Sequence, residues 1–486
     1  MNLRCPTKPS RPVFLQPDFA MRADSDGLTA AEIAKAVTSR KMSALQATEA
    51  ALARIKQHDT ILNSFTDLSA DRARARARAV DAAIAGGKSV GPLAGVPFAV
   101  KNLFGVEGLA TRAGSKINRD LKPSLRDATL IERMEAAGAV LVGALNMGEY
   151  AYDFTGENLH DGPSRNPHDP TRMSGGSSGG SGSAVGGGLV PIALGSDTNG
   201  SIRVPASFCG TFGLKPTYGR LSRARSFPFV ASLDHLGPLA RSVSDLALAY
   251  DAMQGPDPED AACTTRASEP VTSLLAQDIS GLRIAVAGGY FQNNLFAEAK
   301  EAVARVTKAL GVTRTVEIPE AARARAAAYV ITTTEGASLH LDRLRKRPND
   351  FDPAVRDRLI AGAMIPAALV DRAQKFRRWY RAQVLELFKS VDAIIAPSTP
   401  CIAPKLGQAT FVLDGVELPV RANIGIHTQP ISFIGLPVAA VPVPLEPMPI
   451  GVQIIAAPWR EDIALRVAHA LERAGVVAAP VPRGLQ

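Results

Sequence analysis

Apolar residues in the first hundred positions recur at helical spacing and then give way to a short apolar run. Residues 28–58 predict two helices, and each opens with a capping box, one at Thr29 and one at Ser43. A third helix is predicted over 70–85, before a pair of glycines. The run 96–100 is apolar, short and bounded by turn residues, so it predicts a buried strand.

Beyond this run the pattern alternates between amphipathic helices and apolar strands. Helix 128–138 leads directly into strand 139–144, and a stretch rich in Pro, Asp and Glu at 255–260 indicates a linker. The later predicted elements are strand 282–287, helices 295–310, 354–363 and 366–389, strand 392–396, the strand-like segment 433–457 and helix 461–474. Strand–helix–strand order predicts an α/β protein with a mostly parallel sheet covered by helices.

Nothing in the pattern divides the chain into independent domains. A single domain is predicted over 28–475, with a core at about 90–250 and a helical excursion at about 260–390. A flexible N-terminal tail is expected over 1–27, and a C-terminal tail is expected over 476–486.

The basic character of the chain raises the question of an anionic partner. Its 486 residues carry a net charge of +9, but the charge is diffuse. The densest basic stretches, Arg72–Arg78 and Arg372–Arg381, predict helices with one solvated arginine-rich face. Phe376, Trp379 and Tyr380 recur every three to four residues, which predicts a core-facing stripe and not a base-stacking surface. We therefore expect no nucleic-acid partner.

Targeting signals and metal-binding motifs are missing from the sequence. No run of 18 apolar residues occurs, so no membrane contact is expected, and the N-terminal residues lack the apolar segment of a secretory signal. The four cysteines, Cys5, Cys209, Cys263 and Cys401, are scattered without Cys-x-x-Cys spacing. The sequence predicts a cytoplasmic protein with no disulfide framework, no metal and no cofactor.

The most unusual segment is a tract rich in glycine and serine at 174–183. Flexible linkers have such a composition, but this tract runs into a small apolar segment and not into a new domain. No complete phosphate-binding loop motif is present. Gly175–Gly179 fits the Gly-x-Ser-x-Gly nucleophile elbow, yet residues 165–173 before it cannot form the required hydrophobic strand. What remains is a lysine after a buried strand and one serine in each of two glycine-containing segments.

Three motifs around these residues carry a family resemblance. Lys101 stands in Val-Lys-Asn, Ser177 in Gly-Gly-Ser-Ser-Gly-Gly, and Ser201 in Gly-Ser-Asp-Thr-Asn-Gly-Ser-Ile-Arg. Together with Gly-Leu-Lys-Pro-Thr at 213–217 and the segment Asp392–Pro400, this ordered set resembles the amidase signature family over nearly the whole predicted domain. The resemblance implies one amidase domain with a central mixed, largely parallel sheet and helices on both faces.

The same resemblance implies a hydrolase of carbon–nitrogen bonds other than peptide bonds. Ser201 is expected to attack the amide carbonyl, Ser177 to relay its proton, and Lys101 to act as the base. Lysine accepts a proton only when it is neutral, and burial past an apolar strand lowers its pKa. The oxyanion is expected to bind to four backbone amides, those of Thr198, Asn199, Gly200 and Ser201.

Other residues of these motifs are expected to brace the loop or to contact the substrate. Asp197 and Ser178 are expected to brace it, while Arg203 either braces it with Asp197 or forms only a structural ion pair. Arg203 is also a candidate to hold a substrate carboxylate, since a guanidinium binds one bidentately. The further candidate substrate contacts are Asp153, Thr155, His427 and Gln429. Asn199 replaces the glycine usual in the family, and its polar side chain favours small polar amides.

Two branches of the family are matched by further segments. Residues 164–169 and 215–222 resemble the A subunit of glutamyl-tRNA amidotransferase, a glutaminase, but the tyrosines expected at 365–371 are missing. The segments 152–158 and 426–430 resemble the branch that includes 1-carboxybiuret hydrolase. That branch implies a small, urea-like, carboxylate-bearing amide as substrate, ammonia as product and a small helical partner subunit.

The resemblance also raises the questions of assembly and of catalytic competence. A homo-oligomer or a hetero-oligomer is expected. The alternative from another functional class is a scaffold subunit that keeps the fold without catalysis. Retention of Lys101, Ser177 and Ser201 argues against a scaffold, because a non-catalytic homologue has no need of all three.

Overall fold

The computed structural model describes residues 27–485 of the chain. Within them, the helices are α1 (Ala30–Thr38), α2 (Ala44–Leu62), α3 (Ala70–Ala85), α4 (Thr129–Ala136), α5 (Gly179–Gly186), α6 (Arg203–Phe208), α7 (Val243–Met253), α8 (Ala297–Ala309), α9 (Ala321–Lys346), α10 (Pro353–Ala363), α11 (Ala367–Leu387), α12 (Val420–Asn423), α13 (Gln429–Ser432) and α14 (Glu461–Arg473).

The strands belong to one large sheet and one hairpin. They are β1 (Phe65–Leu68), β2 (Pro97–Lys101), β3 (Val140–Leu145), β4 (Ile192–Asp197), β5 (Phe212–Lys215), β6 (His235–Ala240), β7 (Ile284–Ala287), β8 (Thr315–Val316), β9 (Ala393–Pro397), β10 (Thr410–Leu413), β11 (Val416–Pro419), β12 (Val438–Val443) and β13 (Ile450–Ala456). The sheet order is β1-β3-β2-β4-β6-β5-β12-β13-β9-β7-β8, and β10 pairs with β11.

The pairing confirms an α/β protein with a mixed sheet. Parallel pairs join β2 to β3 and to β4, and β7 to β8 and to β9. The other strand pairs of the sheet are antiparallel. Antiparallel pairing is therefore more frequent than the sequence indicated, because an apolar run does not reveal the direction of its neighbour.

Helices cover both faces of the central strands. Every residue of β2, β3, β4, β6, β12 and β13 is buried, although successive side chains point to opposite faces of the sheet. Helix α7 packs against α1, α4 and α14, while α5 packs against α2 and α6. These two groups of helices bury the apolar strands from which the site residues project.

The N-terminal helices begin where the capping boxes predict. Thr29 N–H donates to the Glu32 carboxylate at 2.8 Å, and Glu32 N–H donates to the Thr29 hydroxyl at 3.2 Å. Ser43 and Gln46 exchange the same two bonds at 2.8 and 3.0 Å. Such a cap contributes on the order of 1 kcal/mol because it satisfies amides that the first turn leaves unpaired. Helix α3 also follows its prediction, since it ends at Gly86.

The region predicted as a helical excursion also completes the sheet. Strand β7 forms where 282–287 predicted a strand, and with β8 it makes one edge of the sheet. Helix α9 is the long element that the periodicity did not predict, because alanine and arginine fill its first turns and leave a weak apolar stripe. It packs against α10, α11 and α13.

The structure corrects one prediction about exposed segments in full and another in part. The stretch 255–260 is not a free linker, because Asp257 accepts hydrogen bonds from Ser222 Oγ at 2.6 Å and Thr129 Oγ1 at 2.7 Å. The predicted solvated face of the segment 72–78 is only partly present, because Arg78 is exposed whereas Arg72, Arg74 and Arg76 are half-buried. Arg72, for example, is half-buried and forms ion pairs with two carboxylates of the neighbouring segments.

The aromatic stripe of α11 is only partly core-facing. Tyr380 is buried and Phe376 is half-buried, but Trp379 remains 45% exposed. The buried face of this helix is narrow and follows Ala373, Tyr380 and Val384. Trp379 lies one residue, about 100° around the helix, from that line.

The ends of the predicted domain differ in what the structure describes. Most of the predicted tail 1–27 lies outside the described residues. At the other end Val477 and Leu485 are buried, so the segment after α14 packs onto the domain and is not a loose tail. The domain boundaries themselves remain predictions.

Within residues 27–485, no helix is long and apolar enough to cross a membrane. The same residues contain no group of three His, Cys, Asp or Glu side chains arranged to hold a metal ion. Cys209, Cys263 and Cys401 are free thiols, and Cys5 lies outside the described range.

Candidate active site

Lys101 ends β2, which lies between β3 and β4 in the sheet, and its side chain is completely buried. Burial follows from the sequence, because the apolar strand β2 is covered on both faces. Lys101 Nζ donates to Ser177 Oγ at 2.6 Å, to Ser196 Oγ at 2.8 Å and to Ser178 Oγ at 3.1 Å. All three partners are hydroxyls, so no carboxylate neutralises the lysine directly.

Burial lowers the pKa of Lys101 to about 7. The negative charges of Asp234, Asp197 and Asp153 oppose this shift but do not cancel it. A large fraction of Lys101 is therefore neutral near pH 7, and a neutral lysine is able to accept a proton.

The glycine- and serine-rich tract is a packed part of the core and not a linker. The peptide bond between Gly176 and Ser177 is cis, and α5 begins two residues later at Gly179. A Cβ at Gly180 would lie 2.5 Å from the Ser64 carbonyl oxygen, so only glycine fits this contact. No strand precedes the tract over 165–173, which agrees with the exclusion of a nucleophile elbow.

Ser178 ties this tract to the end of β4. Its hydroxyl donates to the Ser196 carbonyl at 3.1 Å, accepts from Ser196 N–H at 3.2 Å and accepts from Lys101. These contacts are compatible with the bracing role expected for Ser178, which stays a prediction. Ser196 is a contact that the sequence did not single out, although it immediately precedes Asp197 in the motif of Ser201.

Ser201 lies in the loop between β4 and α6. The loop passes so close to Thr428 that a Cβ at Gly200, where φ is +146°, would clash with Thr428 Oγ1. Among the described residues, no hydrogen-bond acceptor pairs with the amide groups of residues 198–201. These amides have no partner within the described residues, and their expected role in binding the oxyanion stays a prediction.

One of the two hydrogen bonds required by the predicted proton relay is present in the structure. Ser177 is bonded to Lys101, but no hydrogen bond within 3.5 Å joins Ser177 to Ser201 in the described part of the chain. Ser201 is 3% exposed and lines a cavity beside the loop. The relay between the two serines therefore remains a prediction.

Thr198 anchors the same loop from its other side. Its hydroxyl donates to Asp234 Oδ1 at 2.6 Å, and the other oxygen of Asp234 accepts from Phe229 N–H and Val230 N–H. Thr198 and Phe229 also line a second cavity of about 240 Å³, which Ser196 and Asp234 reach. Two cavities thus meet at Thr198 and Phe229.

Arg203 braces the loop and is not available for a substrate. Its five N–H donors all have protein partners, which are Asp197 through both oxygens, Thr428 O, Gln453 Oε1 and Ser432 Oγ. Arg203 and Asp197 are both fully buried. Burial alone would raise the pKa of Asp197, but the Arg203 guanidinium holds it below its usual range. The expectation that Arg203 holds a substrate carboxylate is therefore wrong.

The cavity at Ser201 is narrow, about 20 Å³ in volume. Its lining residues come from several separate segments of the chain and are Ala151, Tyr152, Asp153, Phe154, Thr198, Asn199, Ser201, Phe229, Tyr329, Thr332, Arg358 and Gln429. Two predicted substrate contacts, Asp153 and Gln429, are among them. Asp153 also accepts a hydrogen bond from Arg421, and Gln429 accepts one from Arg325 at 2.9 Å.

The other two predicted substrate contacts do not reach this cavity. Thr155 is buried, and its hydroxyl donates to Asp153 Oδ1 at 2.9 Å. His427 is buried against Tyr290 and Phe291, and burial lowers its pKa to about 3. Neither residue lines the Ser201 cavity, which corrects their assignment as substrate contacts.

Seven cavity residues were not predicted from the sequence, namely Ala151, Tyr152, Phe154, Phe229, Tyr329, Thr332 and Arg358. Tyr152 lies inside the family-like segment 152–158, so a signal for it was present. Thr332 belongs to α9, whose helix was not predicted, and Arg358 resembles any other arginine of a surface helix. Only the packing of α9 and α10 over the loop brings these two to the cavity.

A family model described as Amidase matches residues 46–465. The chain belongs to the amidase signature family. Among its relatives, the AtzE component of 1-carboxybiuret hydrolase from Pseudomonas sp. (strain ADP) is 53% identical over 448 residues, which cover 92% of this chain and 98% of the relative. The A subunit of glutamyl-tRNA(Gln) amidotransferase from Azotobacter vinelandii (strain DJ / ATCC BAA-1303) is 38% identical, covering 92% and 97%.

A solved structure shares the same overall geometry. It is described as a vestigial protein complex that reveals the evolutionary origins of an s-triazine catabolic enzyme, and it matches with a TM-score of 0.92 at 53% identity, covering 93% of this chain and 99% of that chain. As a member of the amidase signature family, the protein is a hydrolase of carbon–nitrogen bonds other than peptide bonds. The family and enzyme class expected from the motifs are thereby confirmed.

Proposed function

We propose that this amidase hydrolyses a small, carboxylate-bearing amide of the urea type and releases ammonia through an acyl-enzyme on Ser201. The proposal rests on the charge at the mouth of the Ser201 cavity. It is supported by the likeness to a protein named 1-carboxybiuret hydrolase, whose name describes a carboxylate-bearing urea derivative.

Three arginines surround the outer end of that cavity. Arg325, Arg358 and Arg421 line a vestibule of about 380 Å³, which shares Tyr329 and Arg358 with the inner cavity. Arg421 is paired with Asp153 and Glu157. An anionic substrate would meet a basic entrance before it reaches the serine.

Two of these arginines, Arg325 and Arg358, form no ion pair with any described carboxylate, and of the two only Arg358 also lines the Ser201 cavity. Its Nε donates to the Ala354 carbonyl at 2.7 Å, and another nitrogen donates to the Tyr152 carbonyl. Its guanidinium lies over the Tyr152 ring, 3.8 Å from the centroid, and none of the described carboxylates forms an ion pair with it. A substrate carboxylate is the missing charge partner that this position would accept.

The proposed chemistry uses the groups around Lys101 in two steps. Ser201 Oγ bonds to the amide carbon while its proton passes through Ser177 to neutral Lys101. The carbon–nitrogen bond then breaks, and the same proton leaves with the nitrogen as ammonia. Water attacks the acyl-enzyme and restores the Ser201 hydroxyl. The free amides of the loop 198–201 would stabilise the oxyanion in both steps.

The expected glutaminase and scaffold alternatives have less support. The chain is 38% identical to the glutamyl-tRNA(Gln) amidotransferase relative, against 53% for the 1-carboxybiuret hydrolase relative. A scaffold would not need a buried lysine held by three hydroxyls. The structural neighbour described as a protein complex supports the expectation of a partner protein, which stays a prediction.

Arg358→Gln should lower kcat/KM for ureidoacetate, which carries a carboxylate, by roughly 10- to 100-fold, the usual cost of losing a hydrogen bond to a charged group. The neutral analogue ureidoacetamide should be affected much less, because it has no carboxylate to lose. Arg356→Gln is the matched control, since Arg356 lies on the same helix and pairs with Asp357. Equal losses on both substrates would contradict carboxylate recognition by Arg358.

A further inference from the structure

Two polar side-chain atoms of cavity residues are buried without any hydrogen-bond partner among the described residues. They are Asn199 Oδ1 and the Tyr152 hydroxyl. Buried polar atoms in folded proteins are nearly always paired, so each unpaired atom calls for an explanation. Their position in the cavity that holds Ser201 suggests that a bound substrate supplies the missing partners.

The nitrogen of the Asn199 side-chain amide is hydrogen-bonded to a neighbouring helix. Asn199 Nδ2 donates to Thr332 Oγ1 of α9 at 3.0 Å. The backbone carbonyl of Asn199 accepts from Thr428 Oγ1 at 2.7 Å, which holds the loop in place. With the nitrogen engaged, the atom left over is a carbonyl oxygen, and a carbonyl oxygen only accepts hydrogen bonds.

The place of Asn199 in the chain limits what its oxygen can meet. Asn199 precedes Ser201 by two residues and belongs to the loop whose backbone amides are proposed to bind the oxyanion of the reacting carbonyl. Its side chain lines the same cavity as Ser201, so in the proposed reaction it would lie near the atom attached to that carbonyl on the acyl side. In a urea this atom is an N–H group, whereas in a simple carboxamide it is a methylene, which cannot donate a hydrogen bond.

We infer that Asn199 selects substrates with an N–H beside the scissile carbonyl, because its Oδ1 accepts a hydrogen bond from that N–H. Thr332 is a positioning residue that keeps the amide in this orientation. The inference deepens the proposed function and rests on it. It adds that the ureido nitrogen itself is recognised, in addition to the carboxylate at the cavity mouth.

Tyr152 provides the internal comparison. A hydroxyl both donates and accepts hydrogen bonds, so the Tyr152 hydroxyl is able to pair with either a substrate oxygen or a substrate N–H group. Loss of the Tyr152 hydroxyl should weaken the binding of a substrate with a ureido nitrogen and of one with a methylene to the same extent. Tyr152→Phe is therefore the control for general damage to the cavity.

The test uses two substrates that differ at this one position. Ureidoacetate and succinamate have the same length and the same carboxylate, but the first has N–H where the second has CH₂. Their kcat/KM ratio is measured for the wild type and for each variant, and the difference in intrinsic reactivity cancels when the ratios are compared. Titration of both compounds into inactive Ser201→Ala protein gives the ratio of their dissociation constants, which reports on binding alone.

Asn199→Gly and Thr332→Val should each lower the ureidoacetate-to-succinamate ratio by roughly tenfold, the typical effect of leaving one buried group unpaired. Thr332→Ser, which keeps the hydroxyl, should retain the wild-type ratio, and a merely structural role of Thr332 would not predict this rescue. Tyr152→Phe should lower kcat/KM for both substrates by the same factor and leave their ratio unchanged.

Unchanged ratios in Asn199→Gly and Thr332→Val, or an equal change in Tyr152→Phe, would overturn the inference. If the wild type still preferred ureidoacetate to neutral ureidoacetamide in that case, the proposed function would stand alone. A loss of the carboxylate preference with an intact Asn199 effect would instead contradict the proposed function and leave the N–H recognition in place.

Discussion

Ser201→Ala should give a folded protein whose turnover of small amides is lower by about 10⁶-fold, as is typical when the nucleophile is removed from a cooperating catalytic set. The reason is that Lys101 and the Ser177 hydroxyl then have no serine oxygen to activate for attack on the amide. The fold should survive, because Ser201 is in a loop and its replacement removes one hydroxyl beside a cavity. The measurement is kcat with ureidoacetate, together with thermal unfolding of the variant.

The matched control is another buried serine of the same region. The Ser181 hydroxyl donates to the Leu194 carbonyl at 3.0 Å, and it is not among the described hydrogen-bond partners of Lys101. Ser181→Ala should keep turnover within several-fold of wild type. A folded Ser201→Ala protein that retained normal turnover would show that another residue attacks the amide.

Lys101→Arg should lower kcat/KM by roughly 10³- to 10⁴-fold, in the range that general-base catalysis contributes. Guanidinium stays protonated at any practical pH, so it cannot accept the serine proton although it keeps the positive charge. Lys101 is also fully buried among Ser177, Ser178 and Ser196, where the larger guanidinium does not fit the same contacts. Robust activity of Lys101→Arg at neutral pH would exclude Lys101 as the base.

The pH profile of the wild-type activity is a second test of Lys101 as the base. The active form of Lys101 is the neutral one, and its pKa is lowered to about 7 by burial. Activity should therefore fall as the pH drops below about 7 and should level off above it. Ureidoacetamide suits this measurement because it carries no carboxylate. An activity that rises on acidification would contradict a lysine base.

The sequence predicted those parts of the molecule in which local pattern decides the structure. The capping boxes at Thr29 and Ser43 depend on neighbouring residues only, and the apolar strand before Lys101 buries that lysine wherever the strand lies in the sheet. The direction of each strand was harder to predict from the sequence, because a wholly buried strand has the same apolar character in parallel and antiparallel pairs.

The residues that line the cavity depended on tertiary packing. Arg203 has the chemistry of a carboxylate ligand, and only the structure shows that all five of its donors are bonded within the protein. Thr332 and Arg358 lie on helices far along the chain from the serine motifs, so no local spacing connects them to Ser201. His427 shows the reverse, since a histidine in a matched motif is buried outside the Ser201 cavity.

The most direct test of the central claim is to find which serine is nucleophilic. A fluorophosphonate probe forms a bond between its phosphorus and an activated serine oxygen and releases fluoride, and tandem mass spectrometry locates the modified residue. We expect one labelled serine in the wild type, Ser201, and loss of the label in Ser201→Ala. Labelling at Ser177 would contradict the account, because it would make the serine bonded to Lys101 the nucleophile.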